Sequence, residues 1–435
     1  MFQQAKEQFE GAGDKPGAAL CLQRLGDIHR MLGQYEDAKV MLQQAKEQLK
    51  GAGDRLEATQ CLHHLGEIHM MLDQYEDAKV MLQQAKEQFE EIGSRLGAAQ
   101  CSKSLGGIYI MLHQYEDAKV MLHQAKKQFE EVGDRLGAAQ CLLSLGDICN
   151  MLHQNKDAKV MLQQAKEQFE GVGNRQGAAQ CLQGLGNICR MLGQYDDAKV
   201  MLQQAKEQFE GFGSRMGVAQ CLRSLGDIFQ KLHQYKDANF MLQQAKEQFE
   251  GCGHRLGAAQ CLQLLGYICG QLKQYDDAKT MLQQAKEQFE GIGSRLGAAQ
   301  CLQELGNVCS MVSQYEDAKV MLQQAKEQFD GVGDKLGAAQ CLQSIGFICI
   351  TLHQNENAKV MFEQAKELFE EVGSRPAACC LCILGRIEID EGYLIEAKAK
   401  FKKAKEHFEA IQMPEGIVLC VHILQQIHCA LAVAV

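Results

Sequence analysis

Tryptophan is absent from this 435-residue chain, and proline occurs only three times, at Pro16, Pro376 and Pro414. So little proline, beside 46% hydrophobic residues, excludes a collagen-like or disordered chain. Long apolar runs are missing as well: none approaches the roughly 18 residues that a membrane-crossing helix needs. The N-terminal MFQQAKEQFEG has neither the basic nor the apolar segment of a secretory leader. Basic residues are outnumbered, 45 Lys and Arg against 55 Asp and Glu, and a net charge of -10 argues against nucleic-acid or membrane partners. A folded, cytoplasmic chain is expected.

Cysteine is abundant, with 20 residues, but its placement is periodic. Cys21, Cys61, Cys101, Cys141, Cys181, Cys221, Cys261, Cys301 and Cys341 stand 40 residues apart. A second column, Cys149, Cys189, Cys269, Cys309 and Cys349, is filled elsewhere by His29, His69, Tyr109 and Phe229. Positions that exchange Cys for Phe or Tyr have no disulfide or metal in common. All the cysteines are expected as reduced, buried thiols.

The period of 40 runs through the chain nine times and then once in degraded form. In the first unit Leu22, Leu25, Ile28 and Leu32 recur at helical spacing, predicting an A helix. Tyr35, Ala38, Leu42, Ala45 and Leu49 predict a B helix, with Glu36 and Asp37 in the first turn, where negative charge suits the helix dipole. Asp14, Asp54, Ser94, Asp134, Asn174, Ser214, Ser294, Asp334 and Ser374 form one column of expected N-caps. Glycines from Gly13 to Gly373 precede them and suit left-handed helix closure. The prolines fall in expected first turns. Gly26, Ala38 and Ala45 are small residues on apolar faces and let paired helices approach closely. One such pair cannot bury two apolar stripes, so pairs must stack into a solenoid. The fold class is all-α, an α-α superhelix expected to be right-handed.

Leu22, Leu25, Gly26, His29, Gly33, Tyr35, Ala38, Leu42 and Ala45 match the spacing of the tetratricopeptide repeat signature, with Leu for its Trp and His or Cys for its first Tyr. The chain resembles that family over nearly its whole length. Its 40-residue period and lack of a closing Pro resemble the long-repeat branch found in LGN/Pins adaptors, kinesin light chains and the repeat sensors of multidomain signalling NTPases, and its near-identical tandem units are most similar to the last. The resemblance implies a non-enzymatic protein- or peptide-binding scaffold without cofactors. Its partner would be a separate protein or another domain of the same protein. An LGN-like polarity adaptor is the second reading, weakened by the mostly Ser column Ser104, Ser144, Ser224 and Ser344.

Residues 1–10 read as the B helix of an incomplete repeat, 14–375 as nine tandem repeats, 376–410 as a degenerate tenth and 414–435 as a capping helix. A chain that opens inside a repeat suggests a piece of a longer gene product.

Within this frame no catalytic or metal motif stands out. GAGDKPG at 11–17 follows a helix and lacks the ending of a phosphate loop. Cys379, Cys380 and Cys382 have no second pair at zinc-ribbon spacing. His63, His64 and His69 lie on one A helix without forming HExxH and read as solvated or groove-lining. No metal site is expected.

By resemblance, the A helices line a concave groove. The columns there vary: Lys103 and Arg223 in one, Asp147, Asn187, Asp227, Tyr267 and Asn307 in another, Arg190 in a third. The B helices hardly vary, MLQQAKEQFE recurring at 81, 161, 201, 241 and 281. Drift would also have changed the exposed face of B, so the variation reads as diversified recognition. Beside these columns runs a constant one, Gln60, Gln100, Gln140, Gln180, Gln220, Gln260 and Gln300. Such amides either bind the backbone of an extended peptide or link successive repeats.

Overall fold

The polypeptide changes direction on a two-residue device that recurs at most B-to-A junctions. In the computed structural model, which describes residues 1–433, Gly13 takes φ +77 and the next N–H, that of Asp14, donates back to Phe9 O at 2.9 Å. The Asp14 carboxylate then accepts from Gly17 N–H at 3.0 Å and opens the next helix. One residue thus closes one helix with its backbone and starts another with its side chain. Asp54, Ser94, Asp134, Asn174, Ser214, Ser294 and Asp334 do the same. His254, absent from the expected cap column, joins it through Nδ1, 3.0 Å from Gly257 N. Ser374 leaves it: Pro376 starts the helix, and Arg375, without a side-chain bond, takes the cap position.

Among the described residues there are 22 helices and no strand. The chain divides into two compact units, Met1–Gly217 and Val218–Val435. The first holds the A helices Lys15–Met31, Arg55–Met71, Arg95–Met111, Arg135–Met151 and Arg175–Met191. They alternate with the B helices Phe2–Gly11, Tyr35–Gly51, Tyr75–Ile92, Tyr115–Glu131, Asn155–Gly171 and Tyr195–Gly211. Helix Arg215–Lys231 is followed in the second unit by three further full repeats, from Tyr235 to Thr351, and by Asn355–Glu371, Pro376–Asp390, Leu394–Ala410 and Pro414–Val433. In that last helix Cys420 and Ile427 pack against Phe401 and Phe408, while Val418 and Leu419 stay exposed. Ala434 and Val435, which the capping expectation also covers, lie outside the described residues.

Two glycine sockets per repeat set the packing. Inside each hairpin, a Cβ on Gly26 would stand 2.7 Å from Leu42 Cγ, and Gly66, Gly106 and Gly146 meet Leu82, Leu122 and Leu162 at the same distance. Between hairpins, a Cβ on Gly177 would stand 2.5 Å from the Phe169 ring, and Gly137 and Gly337 meet Phe129 and Phe329 alike. Leucine or phenylalanine of a B helix therefore fills the place that a side chain on A would take. Ala38, Leu42, Ala45 and Leu49 are fully buried by this arrangement. The first A helix departs from expectation: Ile28 is 39% exposed and Leu32 67%, whereas Ile68, packed on the preceding Ala38 and Leu42, is buried. The helix ahead of Ile28, Phe2–Gly11, begins at Phe2, the equivalent of Leu42, which is itself 41% exposed, and holds no equivalent of Ala38.

Cysteine burial also divides. The two periodic columns are buried, and burial pushes Cys61, Cys101, Cys141, Cys181, Cys261, Cys301 and Cys341 up to about 12. Contrary to the expectation for all twenty, Cys252, Cys379 and Cys429 are exposed. They belong to neither column and sit at helix ends or on open faces.

The one repeat without a Phe in the second socket tests the packing. There the B helix carries Leu49, and the facing position is Glu57 instead of Gly. Leu49→Phe should clash with the Glu57 Cβ and cost about 1–3 kcal/mol. Leu49→Phe with Glu57→Gly should recover most of that loss, so urea unfolding of the double-mutant cycle should show stabilising coupling. Zero coupling would contradict the socket.

Candidate functional site: the A-helix face

Successive A helices meet through polar side chains, and this contact uses most of the columns anticipated from sequence. The variable residue of one repeat reaches the constant Gln of the next. Gln23 Nε2 donates to Gln60 Oε1 at 3.4 Å, Lys103 Nζ to Gln140 Oε1 at 2.7 Å and Gln263 Nε2 to Gln300 Oε1 at 3.3 Å. Arg223 donates to Gln260 in the same register. Of the two roles open to the Gln column, the inter-repeat link is therefore observed, and the acceptor oxygens of Gln60, Gln140, Gln260 and Gln300 are engaged. Gln100 and Gln180 are exposed, and Gln220, Arg190 and Asp227 have partners of their own. Asn187, Tyr267 and Asn307 are half-buried on the same columns.

A second polar link runs on the B side and was not anticipated. Lys119 donates to Gln154 Oε1 at 3.2 Å, Lys159 to Gln194 at 3.0 Å and Lys279 to Gln314 at 2.6 Å. These glutamines stand at the B-helix N-caps but make no side-chain capping bond. Their spacing of 35 from the lysine is visible only once the hairpins are stacked.

The charged residues fall into different surroundings. Asp147 is exposed, yet the protein around it displaces enough bulk water to push its carboxyl up to about 6. Burial also raises Glu304, opposed by a hydrogen bond from Asn307, and raises Tyr267, with the Glu304 charge adding to the effect. In the first two A helices five polar side chains converge. Arg30 Nη1 lies 3.1 Å from Glu67 Oε2, His64 Nδ1 lies 2.6 Å from Asp27 Oδ1, and His63 Nε2 lies 3.7 Å from Glu67 Oε1. Burial lowers His63 to about 4, against the opposing pull of Glu67, so its ring is neutral near pH 7. Sequence reading missed this meeting. The spacing of His63 and Glu67, four apart, was its one visible sign.

The clefts of the molecule do not mark a site. They recur with the repeat, lined by the equivalents of Glu130, Gly133, Arg135, Gln164 and Gln168, which hardly change. Repetition of the B-to-A junction produces them.

The geometry is that of a known repeat family. Models described as tetratricopeptide repeat match residues 57–130, 104–171, 136–211, 178–251 and 257–330, and another so described matches 20–48. The chain belongs to the tetratricopeptide repeat family. No curated protein matches it. Among solved structures, it is similar to the quorum sensor NprR from B. thuringiensis in its apo form, at 14% identity and TM-score 0.58, covering 79% of this chain and 99% of that one. It is also similar to a Signal Transduction ATPase with Numerous Domains that carries a tetratricopeptide repeat sensor, from Pyrococcus horikoshii, at 14% identity and TM-score 0.59. That match covers 78% of this chain and 53% of the ATPase. A Rap protein complexed with competence and sporulation factor matches at 15% identity and TM-score 0.50, covering 77% of this chain and 99% of that one. Identities this low establish the shared fold alone.

The raised carboxyl of Asp147 carries a pH signature. Its folded value, about 6, exceeds its ordinary 3.8, so the folded chain holds the extra proton between the two and loses stability as pH rises through that window. Asp147→Asn should therefore raise the melting temperature at pH 7.5 and leave it unchanged near pH 3.5, where the parent's carboxyl is protonated in both states. Equal effects at both pH values would contradict the shift.

Proposed function

We propose that the chain is a protein- or peptide-binding scaffold, the ligand-sensing or autoinhibitory region of a cytoplasmic signalling protein, acting through its A-helix face. One observation carries this reading: the residues that differ from repeat to repeat sit half-open on the A helices, above a core and a B-helix face that hardly differ. Lys103, Asp147, Asn187, Arg190, Arg223, Asp227, Tyr267 and Asn307 supply both charges, amides and a ring for discriminating a ligand. The engaged oxygens of Gln60, Gln140, Gln260 and Gln300 refine the role of the column that also holds Gln100, Gln180 and Gln220: its NH2 groups donate to the carbonyls of an extended ligand. The array is non-catalytic. Among the described residues no helix is long and apolar enough to cross a membrane, and the ligand is a protein segment, either separate or from the same full-length protein.

Peptides selected against the parent chain from a random-sequence library supply the test. Lys103→Ala with Asp147→Ala should weaken such peptides by about 2–5 kcal/mol, the cost of removing charges from a partly desolvated contact. Gln203→Ala with Glu207→Ala, on the exposed B face, should leave them unchanged. Affinity lost with the B-face pair and kept with the A-face pair would place recognition on the other surface.

A further inference from the structure

The meeting of Asp27, Arg30, His63, His64 and Glu67 has an odd electrostatic structure. His63 is buried and faces Glu67 at 3.7 Å. Glu67 divides its oxygens: Oε2 lies against the Arg30 guanidinium, and Oε1 is turned toward His63. Asp27 stands beside the His64 ring, and Arg30 lies 3.8 Å from it without closing a hydrogen bond. His63 Nε2 and Arg30 Nε are buried with no hydrogen-bond partner. Buried polar atoms are nearly always satisfied, so the unpartnered nitrogen of His63 calls for a missing partner.

The donor set says what kind. One ligand atom each from His63, His64 and Glu67 lie within 4.8 Å of one another. Zinc bonds of roughly 2.0–2.1 Å place neighbouring tetrahedral ligands about 3.4 Å apart, close to the 3.7 Å between His63 Nε2 and Glu67 Oε1. Those two side chains, four apart on helix Arg55–Met71, rise from one face a turn apart. Asp27, from the neighbouring A helix, can hold the His64 ring in the way that a carboxylate commonly orients a metal-ligating histidine. We propose that His63, His64 and Glu67 bind one divalent transition-metal cation of the zinc class on the A-helix face of the first two repeats. Two imidazoles and a carboxylate suit that class, and three protein ligands leave a fourth position for water or a ligand group. The counter-force is also in view. Arg30 repels a cation and competes for Glu67, and Lys103 adds a weaker positive field. The formal charges of Asp27 and Glu67 outweigh that of Arg30 by one, so binding is favoured but weakened by the arginine.

Titrating the full reduced chain with Co2+ under visible spectroscopy tests this. The parent should saturate one site with a d–d band that Zn2+ abolishes. The near-ultraviolet thiolate-to-cobalt absorption expected from cysteine ligands should be missing. His64→Gln and Glu67→Gln, at half-buried positions, should each weaken the cation at least about tenfold. Arg30→Gln should tighten it at least about threefold by removing the competing charge, a gain that a damaged fold cannot imitate. A parent that binds no Co2+, a band that survives in His64→Gln and Glu67→Gln, a band carrying thiolate absorption, or weaker binding in Arg30→Gln would each overturn the proposal.

Discussion

The contact on which the rest depends is a glycine on an A helix receiving a side chain from a B helix. It occurs twice in most repeats, inside the hairpin with Leu (Phe362 and Phe401 in the last two) and between hairpins with Phe, and neither socket leaves room for a Cβ. Because the A helix offers no side chain there, the helix axes come close enough to bury Ala38, Leu42, Ala45 and their equivalents completely. The two-residue junction, Gly then Asp or Ser, holds the helices at the spacing that the sockets require. Cores built this way involve neighbouring helices, as a tandem repeat requires.

Much of this was legible in the residues themselves. The cap column, the left-handed glycines and the apolar spacing each act locally, so a single sequence displays them. Much of what escaped depends on side chains that only the packed helices bring together. Glu57 looks like a stray charge until Leu49 is seen across from it. The Gln column could be a ligand surface or a link, and only the placement of Gln23, Lys103 and Gln263 against it shows the link. His254 hides as a cap because imidazole is an unusual one, and Ser374 looks like one until Pro376 displaces the helix start. Ile28 has the right spacing for burial but no partner to be buried against. For the candidate site, the face and its columns were visible, while the state of each charge was not, since Asp147 and His63 owe their shifts to desolvation.

The two helices of the repeat have different freedoms. Helix B supplies both the Leu and the Phe that enter the sockets, and its Lys reaches the next repeat's Gln. Changing it disturbs two junctions at once. Helix A supplies the empty halves of the sockets, and its remaining columns face outward between A helices. Diversity is cheapest there, and a face that varies over a fixed frame is what a family of recognition scaffolds needs.

If sockets between nearest neighbours carry the fold, damage to one should stay local. A Cβ at Gly186 would stand 2.8 Å from Leu202 Cγ, so Gly186→Leu disrupts a single hairpin, that of Arg175–Met191 and Tyr195–Gly211. Native-state hydrogen exchange on this variant is the most direct measurement. Amide protection should fall in that hairpin and in the adjoining Asn155–Gly171, while Lys15–Met31 and Tyr35–Gly51 keep the parent's protection. A uniform fall across all these helices would show a single cooperative core and contradict the nearest-neighbour account.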